Sequence, residues 1–260
     1  MDEPGRAGGP VARLKTTPAY AVWKRSWRGF MTSAPVWRTK RFLRQLVGTE
    51  LWHWPEVSLP RRHVGGWCYC PTLLSAGDVV YSFGVGEDID FELHLLERYE
   101  LELHAFDPTP VAVGWLEERG VPDGLRFHPV GVAGHDGTAS FRARPGERNP
   151  SFTLGGTSAD PSSAVEAPVQ RLPTLARELG HTSIALLKLD VEGAEYDAID
   201  DLVESGLAVG QLLVEFHHRF RGVGRERTAR AVEGLRDAGF RISWIAPSGR
   251  EYAFVHADAL

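Results

Sequence analysis

The chain has 260 residues, of which 43% are hydrophobic and 24% charged, and its formal net charge is −5. This length and composition suit a globular protein with one α/β domain and an extension, and the acidic balance gives no general attraction for nucleic acid. No apolar run reaches the roughly 18–20 residues that cross a bilayer, and no apolar leader opens the chain, so we expect a cytoplasmic protein that does not engage a membrane.

The first 62 residues differ in composition from the rest. Residues 1–11 are predicted to be disordered, whereas residues 12–62 contain eleven Lys and Arg against two acids, and five of the eight tryptophans. The apolar spacing of residues 36–48 predicts a helix. We therefore divide the chain into a basic, Trp-rich extension or cap (1–62) and a main domain (63–260).

Two interpretations of this extension stay open. Aromatic residues interleaved with basic ones can stack bases and neutralise phosphates, as in a nucleic-acid-binding arm. Alternatively, its tryptophans pack on the domain or on a partner subunit of a homo-oligomer. The net acidity of the chain favours the packing interpretation.

From residue 64 onward, apolar strand patterns alternate with helical ones. The predicted strands are 79–84, 101–106, 125–132, 184–190 and 209–216, and the predicted helices are 89–99, 109–119, 173–180, 194–205 and 226–238. Such alternation predicts βαβ units and a parallel sheet.

Three further segments do not follow this alternation. Residues 240–246 and 251–257 read as two strands joined by a turn, which predicts an antiparallel hairpin at the sheet edge. Residues 142–168 are rich in Gly, Pro and Ser, which predicts a lid or binding loop. Cys68 and Cys70 are too closely spaced for a disulfide and are predicted to be reduced thiols.

The first predicted strand ends in a Gly84-x-Gly86 turn that is followed at once by Glu87 and Asp88. In open parallel sheets, ligands bind at the carboxyl ends of the strands. A dinucleotide site would place a third glycine at Ile89, and its pyrophosphate would meet two carboxylates. Two unit charges 4 Å apart interact by about 4 kcal/mol at an effective dielectric of ~20, so NAD is disfavoured.

S-adenosylmethionine fits this turn because it has no phosphate and carries a cationic sulfonium and a cationic amine. Glycine lets the backbone approach its methionine part, and a carboxylate can meet the amine. Asp107, 23 residues after Gly84 and at the end of the next strand, is then expected to bind the ribose hydroxyls. The alternative is that Glu87 and Asp88 complement a helix dipole while Asp107 opens a turn before Pro108.

A second group of polar residues follows the fourth and fifth predicted strands. Asp190 ends one strand with Glu192 just beyond it, and Glu215 ends the next. Methyl transfer to an alcohol needs an aligned acceptor and a base that takes its proton, and histidine suits that role. His217 is preferred to His218 because it shares strand parity with Glu215.

Asp190 and Glu192 are predicted catalytic residues that orient the substrate. Two other roles stay open for them. They can cap the following helix, or Asp190 and Glu215 can hold a divalent ion through oxygen ligands. The prediction made here is that no metal is required.

Several segments together resemble the FkbM-type family of S-adenosylmethionine-dependent methyltransferases. They are "VVYSFGVGEDIDFE", "HAFDPTP", "LLKLDVEGAEYDAIDDL", "LLVEFHHR" and "GREYAFV", in family order. The resemblance implies a class I methyltransferase (Rossmann-like) fold with a seven-stranded, mainly parallel sheet that ends in an antiparallel hairpin. It also implies methylation of a hydroxyl on a sugar, polyketide or other secondary metabolite.

By this resemblance, Val130 and Gly131 lie near the adenine. The complete set of predicted cofactor contacts is Ser82, Phe83, Gly84, Gly86, Glu87, Asp107, Pro108, Val130, Gly131 and Asp190.

The methyl acceptor stays open at this point. Nitrogen or carboxylate methylation of a small molecule or peptide is an alternative. No Asn/Asp-Pro-Pro-Tyr/Phe element follows the fourth strand, which argues against a nucleobase or amide nitrogen. The basic extension, with Arg219 and Arg221, would suit an anionic small molecule.

Overall fold

A computed structural model describes residues 33–143, 152–154, 164–220 and 222–260. The chain divides into two compact units, residues 1–50 and 51–260. In the first unit, helix α1 (Ala34–Leu46) forms where apolar spacing predicts one, with Pro35 in its first turn. The predicted disorder of residues 1–11 lies outside the described residues, and the functional division after residue 62 stays a prediction.

The second unit contains thirteen strands and five α-helices within its described residues. The strands are β1 (Arg62–Val64), β2 (Trp67–Tyr69), β3 (Val79–Phe83), β4 (Glu102–Phe106), β5 (Leu125–His128), β6 (Gly131–Val132), β7 (Gly137–Ala143), β8 (Phe152–Leu154), β9 (Ala164–Gln170), β10 (Ser183–Leu189), β11 (Ala208–Glu215), β12 (Phe240–Ile245) and β13 (Glu251–His256). The helices are α2 (Asp90–Leu96), α3 (Pro110–Arg119), α4 (Leu172–Leu179), α5 (Glu195–Ser205) and α6 (Arg225–Asp237).

The main sheet has seven strands in the order β12–β13–β11–β10–β3–β4–β5. All of its strands run parallel except β13, which pairs antiparallel with both β11 and β12. The chain moves outward from β3 to β5 and then returns to β10, so the strand order reverses between β3 and β10. The predicted class I methyltransferase fold and its terminal hairpin are confirmed, and a ligand is expected at this reversal.

One prediction about the middle of the chain was wrong, and a second was incomplete. The strand predicted at 125–132 divides into β5 and β6, because Pro129 has no N–H and the Val130 N–H closes a tight turn onto the His128 carbonyl, 2.8 Å away. Within the segment predicted to be a lid or binding loop, 142–168, the described residues include β8 and most of β9, which join β6 and β7 in a four-stranded sheet. The lid or binding role stays a prediction. Because this segment is rich in Gly, Pro and Ser, its composition predicts a loop, although Val165, Ala167 and Val169 alternate as they do in a strand. Residues 144–151 and 155–163 lie outside the described residues.

The core forms on both faces of the main sheet because its central strands are apolar on both sides. One layer packs α4, α5 and α6 against one face, and the other packs α2, α3 and β2 against the opposite face. Cys68 and Cys70 are buried free thiols, as predicted. None of the helices described is sufficiently long and hydrophobic to span a bilayer.

Candidate functional site

A cavity of about 450 Å³ opens at the carboxyl ends of β3, β4 and β10, where the strand order reverses. This volume lies in the range of small-molecule sites in proteins. Most of the predicted site residues line it: Phe83, Gly84, Gly86, Glu87, Asp107, Pro108, Gly131, Asp190 and Glu192.

The turn after β3 is possible only with glycine at its first position. Gly84 has φ +76°, and a Cβ there would lie 1.8 Å from the carbonyl oxygen of Asp190. Hydrogen bonds on both sides fix this approach, since the Gly84 N–H donates to the Phe106 carbonyl at 2.9 Å and the Asp190 N–H donates to the Phe83 carbonyl at 3.1 Å. The result is an open backbone surface that a ligand can approach closely.

Asp107, at the end of β4, connects two turns that border the cavity. Its Oδ2 accepts from the Gly86 N–H at 2.9 Å, and its Oδ1 accepts from the N–H and the hydroxyl of Thr109 at 2.9 and 2.6 Å. The side chain opens the turn before Pro108 and also faces the cavity. A carboxylate has about four lone-pair sites, so Oδ2 can accept further hydrogen bonds from a ligand.

The charge around the cavity has one sign. Among the described residues that line it, five carry carboxylates and none is Lys, Arg or His; the five are Glu87, Asp88, Asp107, Asp190 and Glu192. Such a lining repels a pyrophosphate and attracts a cation. It therefore agrees with the expectation from the sequence that NAD is disfavoured.

The other wall of the cavity is apolar and includes residues that sequence reasoning missed. Phe106 stacks on Phe83 with ring centroids 4.3 Å apart, and Phe141 arrives from β7 of the small sheet. A Cβ on Gly131 would lie 2.9 Å from Pro108 Cγ and 3.4 Å from Phe141 Cζ, so these three residues meet closely. The other lining residues that were not predicted from the sequence are Val85, Thr109, Val111, Val132, Val191 and Ala194.

Two predicted cofactor contacts lie outside the lining. Ser82 points to the opposite face of the sheet from Phe83, since side chains alternate along a strand. It is fully buried there, hydrogen-bonded to Glu92 of α2 and 3.3 Å from Lys188 Nζ. Val130 packs against the apolar core.

Beside the cavity, the structure brings together Asp190, Glu215 and His217. Each offers a polar atom within 4.8 Å of the others. His217 Nδ1 is hydrogen-bonded to Glu195 Oε1 at 3.2 Å, and its Nε2 lies 3.9 Å from Glu215 Oε1. The Arg250 guanidinium contacts the same Glu215 oxygen at 2.7 Å. His218 is buried nearby but is not part of this cluster.

The environment of the cluster raises the pKa of all three of its residues. Burial raises the pKa of Asp190 even though Lys188 opposes the shift. Burial and the charge of Asp190 together raise the pKa of Glu215 to about 7. Burial lowers the pKa of His217, but the hydrogen bond and charge of Glu195 outweigh it, so the net pKa is raised. Groups of this kind can exchange protons near neutrality.

The strand order, the antiparallel β13 and the acid-lined cavity at a glycine turn together define a class I methyltransferase. Residues 63–242, more than two thirds of the chain, match the family model described as the Methyltransferase FkbM domain. The chain belongs to the FkbM methyltransferase family, whose members use S-adenosylmethionine.

The chain is also similar, more distantly, to one curated protein and to several solved structures. The human probable methyltransferase-like protein 24 is 25% identical over 146 residues, which cover 55% of this chain and 33% of that protein. The chain thus spans about a third of the length of this relative. A solved FkbM methyltransferase from Methylobacillus flagellatus aligns with a TM-score of 0.44 and 11% identity, over 70% of this chain and 44% of that one. Fibrillarin from Aeropyrum pernix, with natively bound S-adenosyl-L-methionine, aligns with a TM-score of 0.38 and 14% identity, over 84% and 75% of the two chains.

Proposed function

We propose that this enzyme transfers the methyl group of S-adenosylmethionine to a hydroxyl of a small molecule, such as a sugar or another secondary metabolite. The observation that carries the proposal is the cluster of Asp190, Glu215 and His217 at the edge of the cofactor cavity. An alcohol oxygen must lose its proton as the new bond forms, and this cluster contains groups that can accept it near neutral pH.

The cavity residues supply binding and orientation. The bound cofactor provides a methyl group on a positively charged sulfur. The backbone of Gly84 and Gly86 admits the methionine part, and Glu87 meets its amino group. Asp107 Oδ2 accepts from the ribose hydroxyls while it still holds the Gly86 N–H. The wall of Pro108 and Gly131 contacts the adenine, and the surrounding carboxylates favour the positive charge.

Proton transfer is assigned to the groups around His217. Asp190 lines the cavity and orients the acceptor hydroxyl. Glu195 holds His217 Nδ1 as a donor, so the lone pair of Nε2 stays available on the side of Glu215. His217 is the final proton acceptor, because the positive charge that it gains is stabilised by Glu195, Glu215 and Glu192.

The proposal also covers the charge of the acceptor and the need for a divalent ion. We favour a neutral acceptor, because five carboxylates line the cavity and the Arg219 guanidinium donates to the Ser248 carbonyl at 2.6 Å. Arg221 lies outside the described residues. We also favour catalysis without a divalent ion, since Arg250 already supplies positive charge to Glu215.

The experiment uses cofactor labelled with carbon-13 in its methyl group and matched acceptors that carry a hydroxyl, an amine or a carboxylate. The chemical shift of the transferred methyl separates oxygen from nitrogen attachment, and alkaline hydrolysis separates methyl esters from ethers. We expect alkali-stable methyl ethers, formed equally well after treatment with a chelator. Products that are methylamines or alkali-labile esters would overturn the hydroxyl assignment.

A further inference from the structure

A second group of converging polar side chains lies at the opposite edge of the main sheet from the cofactor cavity. Glu102 is the first residue of β4, His104 follows it on the same strand, and His181 lies just before β10. The amino ends of parallel strands share one edge, so these residues meet although up to 79 positions separate them in the sequence. Each offers a ligand atom within 4.8 Å of the other two.

We propose that Glu102, His104 and His181 bind a zinc ion. Glu102 Oε1 lies 3.4 Å from His104 Nε2 and 3.6 Å from His181 Nε2. Zinc binds histidine nitrogen and carboxylate oxygen at about 2.0–2.2 Å, which places neighbouring ligands of a tetrahedron roughly 3.3–3.6 Å apart. Both measured distances match that spacing. Three protein ligands leave the fourth position for water.

The ring nitrogens that face away from this point are already hydrogen-bonded. His104 Nδ1 lies 2.9 Å from His128 Nε2, and His181 Nδ1 lies 2.7 Å from the Tyr81 hydroxyl. With Nδ1 as the donor in each pair, both Nε2 lone pairs point toward Glu102. Outer partners of this kind orient the histidine ligands of metal sites.

The rings of the two histidine ligands are also fixed by packing. His104 stacks on His128 with centroids 5.1 Å apart, and its side chain is only 2% exposed. The ring of His181 packs edge-on against that of His104, with centroids 5.0 Å apart, so each ring limits the rotation of the other.

The Arg126 guanidinium competes with a zinc ion for the space beside Glu102 and His104. Its Nη1 contacts Glu102 Oε1 and lies 3.5 Å from His104 Nε2, where it supplies the positive charge that Glu102 requires. The Arg126 side chain is 61% exposed, so it can turn into water when an ion enters. A bound ion would link β4 to the start of β10 and, through His128, to β5. The site therefore stabilises the sheet and does not depend on the proposed methyl acceptor.

The test uses tag-free protein, treated with a chelator and titrated with Co²⁺ and Zn²⁺. We expect one equivalent of Co²⁺ to give the visible absorption of a tetrahedral site, and zinc to displace it and raise the melting temperature. Tyr81→Phe keeps all three ligands but removes an outer partner, and it should weaken zinc binding by about 10–100-fold. His181→Asn should abolish the Co²⁺ spectrum.

Two matched control variants test whether the Co²⁺ spectrum comes from this site. His135→Asn removes an exposed histidine, and His217→Asn removes the histidine of the cavity cluster; both should keep the Co²⁺ spectrum. Arg126→Gln removes the competing charge and should tighten zinc binding. A spectrum that disappears with His217→Asn but not with His181→Asn would overturn the proposal. Binding found only in Arg126→Gln would also overturn it, because Arg126 would then be the resident cation.

Discussion

The carbonyl oxygen of Asp190 lies 1.8 Å from the point that a Cβ on Gly84 would occupy. Two strands that are distant in sequence therefore come together at a position where only glycine fits. This contact forms the floor of the cavity at the carboxyl ends of β3, β4 and β10, because Gly84 and Asp190 both line it.

Gly84→Ala should destabilise the domain and abolish cofactor binding. The left-handed backbone alone costs alanine about 1–2 kcal/mol, and the overlap with Asp190 adds to this because the neighbouring atom is backbone. Gly180→Ala is the control, since Gly180 has φ +80° but a Cβ added there would meet no atom within 4 Å. Urea denaturation should show a larger loss for Gly84→Ala, and equal losses would contradict the steric argument.

Asp107→Ala should weaken binding of S-adenosylmethionine by about 1–3 kcal/mol, the scale of a lost hydrogen bond to a charged group. The change removes the proposed ribose acceptor and also releases the Gly86 N–H. Thr109→Val is the control, because it removes the hydroxyl that donates to Asp107 Oδ1 and caps the Ala112 N–H, but keeps the Asp107 carboxylate. Calorimetry should find that the control binds S-adenosylmethionine with near-normal affinity. If Asp107→Ala also binds it with unchanged affinity, Asp107 does not bind the ribose.

The turnover number kcat should rise with pH. His217 accepts a proton only when neutral, and its pKa is raised above the ordinary 6.5, so activity is lost as pH falls through that raised value. Glu215→Gln removes a negative charge that raises this pKa and should move the profile to lower pH. The measurement is kcat against pH at saturating cofactor, and a profile that stays in place in Glu215→Gln would contradict this account.

His217→Asn should lower kcat by about 10²–10⁴-fold, the usual contribution of a general base, with cofactor affinity unchanged. His218→Asn is the matched control and should keep most of the activity. If His218→Asn causes the loss and His217→Asn does not, the assignment of the base is wrong.

Lys188→Met should destabilise the fold by about 3–5 kcal/mol, because it leaves Glu92 as a buried, uncompensated charge. Lys188 Nζ lies 3.4 Å from Glu92 Oε1, and both residues are almost fully buried. Replacing both with Lys188→Met and Glu92→Leu should recover most of the loss. Denaturant unfolding measures this, and a double variant no more stable than Lys188→Met would refute the ion-pair account.

Much of the fold could be predicted because the sequence patterns are local. Apolar runs between helical patterns identified the five strands β3, β4, β5, β10 and β11, and the turn at 247–250 identified the final hairpin. The small sheet was not predicted, since β8 and β9 lie in a segment whose composition is typical of loops. Its pairing with β6 and β7 depends on contacts distant in sequence, which a local pattern does not encode.

Some residues of the cavity could be predicted from the sequence and others could not. Gly84, Asp107 and Asp190 follow separate strands, and parallel strands bring their carboxyl ends to one edge, so their convergence could be inferred. Phe141 could not be inferred, because it reaches the cavity from the small sheet. The alternation along β3 could have excluded Ser82, since Phe83 and Ser82 necessarily face opposite sides.

The position of β13 has a consequence for biosynthesis. Among the strands that the structure describes, β12 pairs only with β13, and β13 lies between it and β11. During translation β12 leaves the ribosome before β13. It cannot join the sheet until β13 has been synthesised and has paired with the edge of β11. A nonsense codon just before Glu251 would thus remove two strands from the sheet although it deletes only one, and it would leave the edge of β11 open to aggregation.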